Sequence, residues 1–168
     1  MCFMALWHRK PRQEPSVAET VLDPAPPLPD FPYHPDPVRT GSFIHAFVPC
    51  GLCGHAYGFV YAGPVFAADD YFDAPLCPWC IADGSAALRL RVEFTDVRRD
   101  DVPDNVPGRV LDQIAERTPG FTGHEQEHWL YHCADGAAFV GRTEAAGETA
   151  YRFRCRRCGV GLAYSDSS

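Results

Sequence analysis

The sequence predicts an α+β fold in which antiparallel strands and two or three short helices surround paired cysteines. Residues 88–97 alternate apolar and polar side chains, which is the period of a half-buried strand. Residues 104–117 place Val110, Leu111 and Ile114 on one face of a helix. Three Cys-x2-Cys pairs are the third observation, because so many paired cysteines in a small domain indicate a fold stabilised by bound metal.

Length and composition indicate one folded domain with an N-terminal tail. The chain has 168 residues, of which 46% are hydrophobic and 22% are charged, and these values are ordinary for a globular protein with a sizeable core. Nine of its 16 prolines lie between Pro11 and Pro37. We therefore expect a disordered, Pro-rich tail over residues 1–27 and a zinc-binding domain over residues 28–168.

Charge and hydropathy exclude two classes of partner. The formal net charge of −7 argues against a general nucleic-acid-binding protein, which would present a basic face. No apolar run approaches the roughly 18 residues that a membrane-spanning helix requires. The N-terminus has a short apolar stretch followed by His8, Arg9 and Lys10, the reverse of the order in a secretory signal. We expect a cytoplasmic protein, in which thiols stay reduced and paired cysteines bind metal rather than form disulfides.

Local patterns predict the remaining elements. The aromatic and β-branched stretch Tyr57–Phe66 predicts a hairpin. A helix is expected after Cys80, with Asp83 or Ser85 as its N-cap, and Asp104 or Asn105 is available to cap the later helix. The other predicted elements are a short helix over residues 124–133 and strands over residues 137–142, 150–155 and 161–164.

The first two cysteine pairs predict a closed zinc site. They are separated by 23 residues and consist of Cys50, Cys53, Cys77 and Cys80. Two residues between cysteines allow one tight turn to direct both thiolates at a single ion, and four thiolates leave tetrahedral zinc no open position for a catalytic water. The order of pair, hairpin, pair and helix is typical of a treble-clef finger, with a zinc ribbon as the alternative. The sequence Cys-Pro-Trp-Cys also resembles a redox motif, but a redox enzyme would leave the first pair unexplained.

The third pair predicts a second zinc site. Cys155 and Cys158 form another Cys-x2-Cys turn, and Cys133 is the obvious source of a third thiolate. His132 and His128 are the candidates for the fourth ligand, of which we select His132. The remaining cysteine, Cys2, lies in the tail and is expected to have no role in either site.

A protease-like string overlaps this region. Residues 124–128 read HEQEH, which matches the signature in which two histidines bind zinc and a glutamate acts as general base. A zinc-dependent hydrolase using His124, Glu125 and His128 is therefore the alternative function. The preceding Thr-Pro-Gly sequence puts the string at the very start of a short helix, however, and Tyr131 occupies the position where a metzincin has glycine. The sequence favours solvated histidines and assigns no catalytic residue.

Several strings together resemble the bacterial CbrC family. The longest is CPWCIADGSAA at residues 77–87, and the others are LPDF at 28–31, YHPDP at 33–37, TG at 40–41 and TPGF at 118–121. The resemblance runs from about Leu28 to the C-terminus and leaves out only the Pro-rich tail. It implies a small cytoplasmic bacterial protein with a role in stress or toxin tolerance, since one family member is linked to tolerance of a DNA-cleaving colicin.

The chain departs from the family pattern at two places. His124-Glu125 stands where members tend to carry Trp-Gln, so the protease-like string is a local divergence. Members are also expected to carry a cysteine near their end, where this chain has Tyr164-Ser165-Asp166-Ser167. If that cysteine binds metal in the family, the second site of this chain lacks a ligand or recruits histidine.

The function predicted from the sequence is that of a non-enzymatic, zinc-stabilised protein that acts by binding an unidentified protein partner, for example in toxin neutralisation. The aromatic loop Phe31–Phe43 is the expected docking surface, because zinc modules often present loops from a rigid core. Tyr33, His34 and Asp36 are the central residues of this expected surface.

Overall fold

The computed structural model has the predicted α+β fold. It describes residues 24–67, 74–123, 127–145 and 147–167. Within these ranges the chain forms antiparallel strands, three α-helices and one 3-10 helix, and none of these helices is long and apolar enough to cross a membrane. Most of the predicted tail lies outside the described residues, and its last part, residues 24–27, is exposed and has no regular structure.

Two small antiparallel sheets organise the N-terminal half. In the first sheet, β1 (Phe43–His45) pairs with β2 (Phe59–Tyr61), and Phe43 lies opposite Tyr61. In the second sheet, β3 (Phe66–Ala67) pairs with β4 (Val92–Glu93). Each sheet therefore joins segments that are distant in the sequence.

The predicted hairpin over residues 57–66 is wrong, because its two halves belong to different sheets. The interactions of Tyr61 account for the divergence. Its buried side chain donates a hydrogen bond from the hydroxyl to the carbonyl of Pro64 at 2.8 Å. Its backbone N–H donates to the carbonyl of Leu76 at 2.8 Å instead of to a hairpin partner. The turn at Gly63-Pro64 is thereby folded against Tyr61, and the following strand is free to pair elsewhere.

Helices α1 (Pro78–Ala82) and α2 (Ser85–Leu90) follow the second cysteine pair. The first begins earlier than predicted, because proline is well suited to the first helical position, where its missing N–H is not needed. Gly84, with φ of 79°, separates the helices and occupies the N-cap position of α2. Asp83 still contributes, since its carboxylate accepts the Ser85 N–H at 2.7 Å.

The predicted strand over residues 88–97 is largely wrong. Leu88 belongs to α2 and is 82% exposed, and only the two residues of β4 pair as a strand. Arg91 adopts a left-handed conformation with φ of 55°, which ends the helix and starts the strand. The alternation that indicated a strand holds only after this point, where Val92 and Phe94 are buried.

Helix α3 spans Gly108–Arg117 and buries the predicted face, including Val110, Leu111 and Ile114. Pro107, rather than Asp104 or Asn105, occupies its N-cap position. The helix packs against the C-terminal sheet.

The C-terminal half is a four-stranded antiparallel sheet. Its strands follow the chain order β5 (Tyr131–His132), β6 (Asp135–Ala145), β7 (Glu148–Cys155) and β8 (Gly161–Ser167). The three longer strands confirm the predicted ones and extend beyond them. A β-bulge between Phe139 and Gly141 interrupts the register of β6 against β7.

The predicted helix over residues 124–133 is wrong in its described part. Residues 127–130 have no regular structure, and Tyr131–His132 form β5. Trp129 accounts for this path, because its buried indole N–H donates to the carbonyl of Ala137 at 3.0 Å while the Ala137 N–H donates to Leu130 at 2.8 Å. These bonds hold the segment against the sheet and are incompatible with a helix there.

The aromatic residues of the loop Phe31–Phe43 are buried, so Tyr33 and His34 do not form the surface that the sequence predicts for docking. Tyr33 and His34 are 5% and 0% exposed. The His34 ring lies between the carbonyl of Pro119 at 2.7 Å and the hydroxyl of Thr40 at 2.6 Å. The loop joins two apolar clusters, with Phe31 in one and Tyr33 in the other, so its aromatic residues serve packing. Asp36 is exposed but is paired with Arg39.

Candidate metal centres

The first cysteine cluster is formed by two tight turns that face each other. The first turn is closed by hydrogen bonds from the Cys50 N–H to His55 at 2.9 Å and from the Gly54 N–H to Cys50 at 2.8 Å. Gly54 has φ of 77°, a conformation that favours glycine. The second turn is the start of α1, which places one cysteine at the N-cap and the other within the helix. Cys50, Cys77 and Cys80 belong to the apolar cluster of the core that contains Phe31, which we call the first apolar cluster.

The four sulfur atoms of this cluster match a tetrahedral metal site. Cys50, Cys53, Cys77 and Cys80 all lie with their Sγ atoms within 4.8 Å of one another. The Sγ atoms of Cys53 and Cys77 are 3.8 Å apart, and those of Cys50 and Cys80 are 3.9 Å apart. Four sulfurs at about 2.3 Å from a tetrahedral zinc ion would be about 3.8 Å apart. The cluster could therefore hold a metal ion.

Interactions among the thiols of the first cluster shift their pKa values in opposite directions. The interaction with the Cys77 side chain, together with backbone N–H groups, lowers the pKa of Cys50 to about 4. The same interaction raises the pKa of Cys77 well above its ordinary value, and burial raises the pKa of Cys80 to about 12. A bound metal ion would supply positive charge that favours the thiolate forms of Cys77 and Cys80.

The second cluster combines a hairpin turn with a turn between the last two strands. His132 pairs with Asp135 across a two-residue turn, in which Cys133 and Ala134 have φ of 53° and 54°. Cys155 ends β7, and its N–H donates to Val160 at 2.8 Å, which closes the second turn. The hairpin and the β7–β8 turn meet at the same end of the sheet because β6 and β7 are antiparallel neighbours.

The ligand atoms of the second cluster are also close together. It consists of His132, Cys133, Cys155 and Cys158, whose ligand atoms lie within 4.8 Å of one another. The His132 Nδ1 atom is 3.2 Å from the Cys133 Sγ and 3.4 Å from the Cys158 Sγ. Cys155 is buried, whereas the other three residues are exposed. The second cluster could also hold a metal ion, in a more open setting than the first.

Hydrogen bonds shift the thiol pKa values in the second cluster. The backbone N–H of Cys158 and other donors lower the pKa of Cys155 to about 6. The interaction with the Cys158 side chain raises the pKa of Cys133 to about 11. A bound metal ion would supply positive charge that favours the thiolate form of Cys133.

His128 is not part of either described cluster. Its N–H donates to the Tyr164 hydroxyl at 3.2 Å, and its ring contacts the Tyr164 ring edge to face. Of the two candidates for the fourth ligand, His132 is the one that lies with the three cysteines. Residues 164–167, where the family resemblance predicts a cysteine in other members, lie in β8 and belong to neither cluster.

The protease-like string falls mostly outside the described residues, which exclude His124, Glu125 and Gln126. Its last two residues, Glu127 and His128, are not helical. The helical spacing that a zincin requires therefore does not extend into the described part of the string.

A buried carboxylate that the sequence did not reveal supports the second cluster. Asp135 is 6% exposed and accepts the hydroxyl of Tyr33 at 2.8 Å. Arg156 lies 3.2 Å from the same carboxylate and 4.3 Å from the centre of the Tyr33 ring, and Arg157 lies 3.6 Å from Asp135. These contacts fix the hairpin relative to the β7–β8 turn. Asp135 and Gly136 follow the tight turn and are the first residues of β6.

Comparisons with known proteins agree on one family. The model of the family described as "Uncharacterised protein family (UPF0167)" matches residues 28–147, which include the first cluster but not Cys155 or Cys158. A UPF0167 protein of Mycobacterium bovis is 43% identical over 176 residues, which cover 83% of this chain and 93% of that protein. A UPF0167 protein of Pseudomonas aeruginosa is 44% identical over 119 residues, which cover 69% of this chain and 64% of that protein. No solved structure matches. The chain is therefore a member of the UPF0167 family.

Proposed function

We propose that this chain is a non-enzymatic, zinc-stabilised cytoplasmic protein of the CbrC type that acts by binding another protein in stress or toxin tolerance. The observation that carries the zinc assignment is the presence of two groups of four potential ligands, each with its atoms within 4.8 Å. The tolerance role, with colicin as the example, rests on the family resemblance alone. The partner is a protein, and neither a membrane nor a nucleic acid is part of the proposal.

Zinc is the metal that suits both ligand sets. Four thiolates, or three thiolates and one imidazole, are typical of tetrahedral structural zinc sites. Each set would fill all four positions with protein ligands, which leaves no position for a reactive water. This favours a structural role over hydrolysis.

Metal binding would contribute directly to folding. Cys50, Cys77 and Cys80 are buried in the first apolar cluster of the core. The second cluster joins the β5–β6 hairpin to the β7–β8 turn. Because neither set of ligands is assembled in an unfolded chain, the binding free energy of the metal adds to the stability of the fold.

Metal stoichiometry tests the zinc assignment. We expect two zinc ions per chain in the purified wild-type protein, and one ion per chain in Cys53→Ser and in Cys158→Ser, measured by elemental analysis and native mass spectrometry. Both substitutions change exposed cysteines, which reduces the risk of a folding failure. Cys2→Ser is the matched control and should retain both ions. A folded wild-type protein without metal would refute the assignment.

The tolerance role needs a separate test in cells. Bacteria that express the wild-type chain should survive a DNA-cleaving colicin better than cells with an empty vector. Cys2→Ser should protect as well as the wild type, and a variant that loses the first cluster should not. Equal survival of all strains, at equal protein levels, would remove the toxin role and leave the zinc assignment unaffected.

A further inference from the structure

A row of aromatic rings borders the first cysteine cluster. The rings of Tyr57 and Trp79 meet edge to face with their centres 4.8 Å apart, and those of His55 and Tyr57 stack with their centres 4.9 Å apart. His55 follows the first cysteine pair and Trp79 lies within the second. We call these three residues the aromatic row. His55 is exposed and the other two residues are half-buried, so the row reaches the surface.

A proline-rich segment of the same chain contacts this row. The indole N–H of Trp79 donates a hydrogen bond to the carbonyl of Pro27 at 3.1 Å. Pro24, Pro26 and Pro27 are themselves exposed. The segment therefore lies on the surface, and the hydrogen bond that joins it to Trp79 is a neutral one, which contributes little to the free energy of binding.

The sequence of this segment favours an extended conformation before it binds. Every residue from Pro24 to Pro29 is either a proline or directly precedes one. Proline restricts its own φ, and it also moves the preceding residue towards the β and polyproline II region. Such a peptide loses little conformational entropy on binding. Aromatic-lined grooves recognise proline-rich peptides for this reason.

We propose that the aromatic row is a binding surface for a proline-rich peptide of a partner protein, and that residues 24–29 of this chain occupy it until that peptide displaces them. That such a partner protein exists rests on the proposed function. Pro27 lies just before the residues that the family model matches, whereas all three residues of the aromatic row lie within them. The aromatic row therefore belongs to the part of the chain that the family model matches. Of the segment 24–29 that occupies it, only residues 28 and 29 belong to that part.

The test uses the full chain and a synthetic peptide with the sequence of residues 21–31. Trp79 is observed through its indole N–H resonance in a 15N-labelled protein, assigned with Trp79→Phe. In a Pro24→Ser, Pro26→Ser, Pro27→Ser triple variant, we expect this resonance to shift and the peptide to bind about tenfold more tightly than to the wild type. The reason is that a tethered occupant competes at an effective concentration in the millimolar range.

Three controls separate recognition from non-specific binding. Trp79→Phe, introduced into the triple variant, keeps an aromatic ring but removes the indole N–H donor. We expect it to weaken peptide binding about fivefold. Leu88→Ser changes an exposed apolar residue on α2 and should leave binding unchanged. A peptide with its prolines replaced by serine should not bind.

Several results would overturn the proposal. One is an unchanged Trp79 resonance in the triple variant. Another is a peptide that shifts the indole N–H resonance of Trp129 as much as that of Trp79. This comparison can be made in the triple variant even if Trp79→Phe does not fold. Normal zinc content with no peptide binding would refute this inference alone.

Discussion

Glu127 accepts a hydrogen bond from the backbone N–H of Phe121 at 2.7 Å, at the point where the two apolar clusters meet. The neighbouring Gly120 N–H donates to the hydroxyl of Tyr61 at 3.0 Å. Because Tyr61 belongs to the apolar cluster that contains Phe31, this hydrogen bond links the segment to that cluster. Glu127 is only 5% exposed, and its Oε2 atom has no hydrogen-bond partner among the described residues. Burial raises the pKa of Glu127 from its ordinary value of 4.5 to about 8.

The first prediction concerns the pH dependence of stability. The pKa of Glu127 is raised in the folded state, so the folded state binds the carboxyl proton more tightly than the unfolded state does. The stability that this protonation contributes to the fold is complete below about pH 4.5 and is lost as the pH rises to about 8. Over part of this range the folded state holds one proton more than the unfolded state, which corresponds to at most about 1.4 kcal/mol per pH unit. Glu127→Gln cannot ionise and keeps an acceptor for Phe121.

Urea unfolding of the wild type and of Glu127→Gln between pH 6 and 8.5 measures this effect. The free energy of unfolding of the wild type should fall relative to that of the variant by about 1 kcal/mol or more. Parallel pH profiles for the two proteins would show that Glu127 ionises normally in the folded state.

The second prediction concerns the close approach at Gly120. A Cβ atom at this position would overlap the carbonyl oxygen of Phe94 and lie 2.7 Å from Glu127 Oε1. We expect Gly120→Ala to lower the free energy of unfolding by about 2 kcal/mol or more, because backbone has to move. Gly161→Ala is the matched control, since nothing lies within 4 Å of its Cβ position. Equal stabilities of the two variants by thermal denaturation would contradict the prediction.

The third prediction concerns the hairpin turn of the second cluster. Ala134 has φ of 54°, a left-handed conformation that is unfavourable for alanine but not for glycine. Ala134→Gly should therefore increase the free energy of unfolding by about 0.5–1 kcal/mol in the metal-bound protein. Ala163→Gly, in the interior of β8, should decrease it. A loss of stability in both variants would mean that the turn does not favour glycine.

The fourth prediction concerns the order of metal release. Three of the four residues of the second cluster are exposed, whereas three of the four in the first are buried. A chelator should therefore remove metal from the second cluster first, with a rate about tenfold higher, because local opening there disrupts less of the core. Release can be followed with a colorimetric metal indicator. Cys158→Ser should show only the slow phase, and release of both ions at one rate would contradict the prediction.

Helix α3 and the three longer strands of the C-terminal sheet could be predicted from the sequence, because their patterns are local. Val110, Leu111 and Ile114 recur at the helical period, and the strands around Phe139 and Phe153 alternate over long stretches. The short elements could not be predicted in this way. The hairpin expected over residues 57–66 and the strand expected over residues 88–97 failed because pairing with distant segments outweighed local preference.

The sequence by itself determined the α+β class, the family and the three Cys-x2-Cys turns, because Cys-x2-Cys spacing acts within a single turn. Only the tertiary structure decided which turns face each other, and it selected His132 over His128 because β6 and β7 bring the hairpin beside Cys155. It also placed Tyr33 and His34 in the interior. An aromatic loop has the same sequence pattern whether it packs inward or outward, so its burial depends on the surfaces that the rest of the fold presents to it.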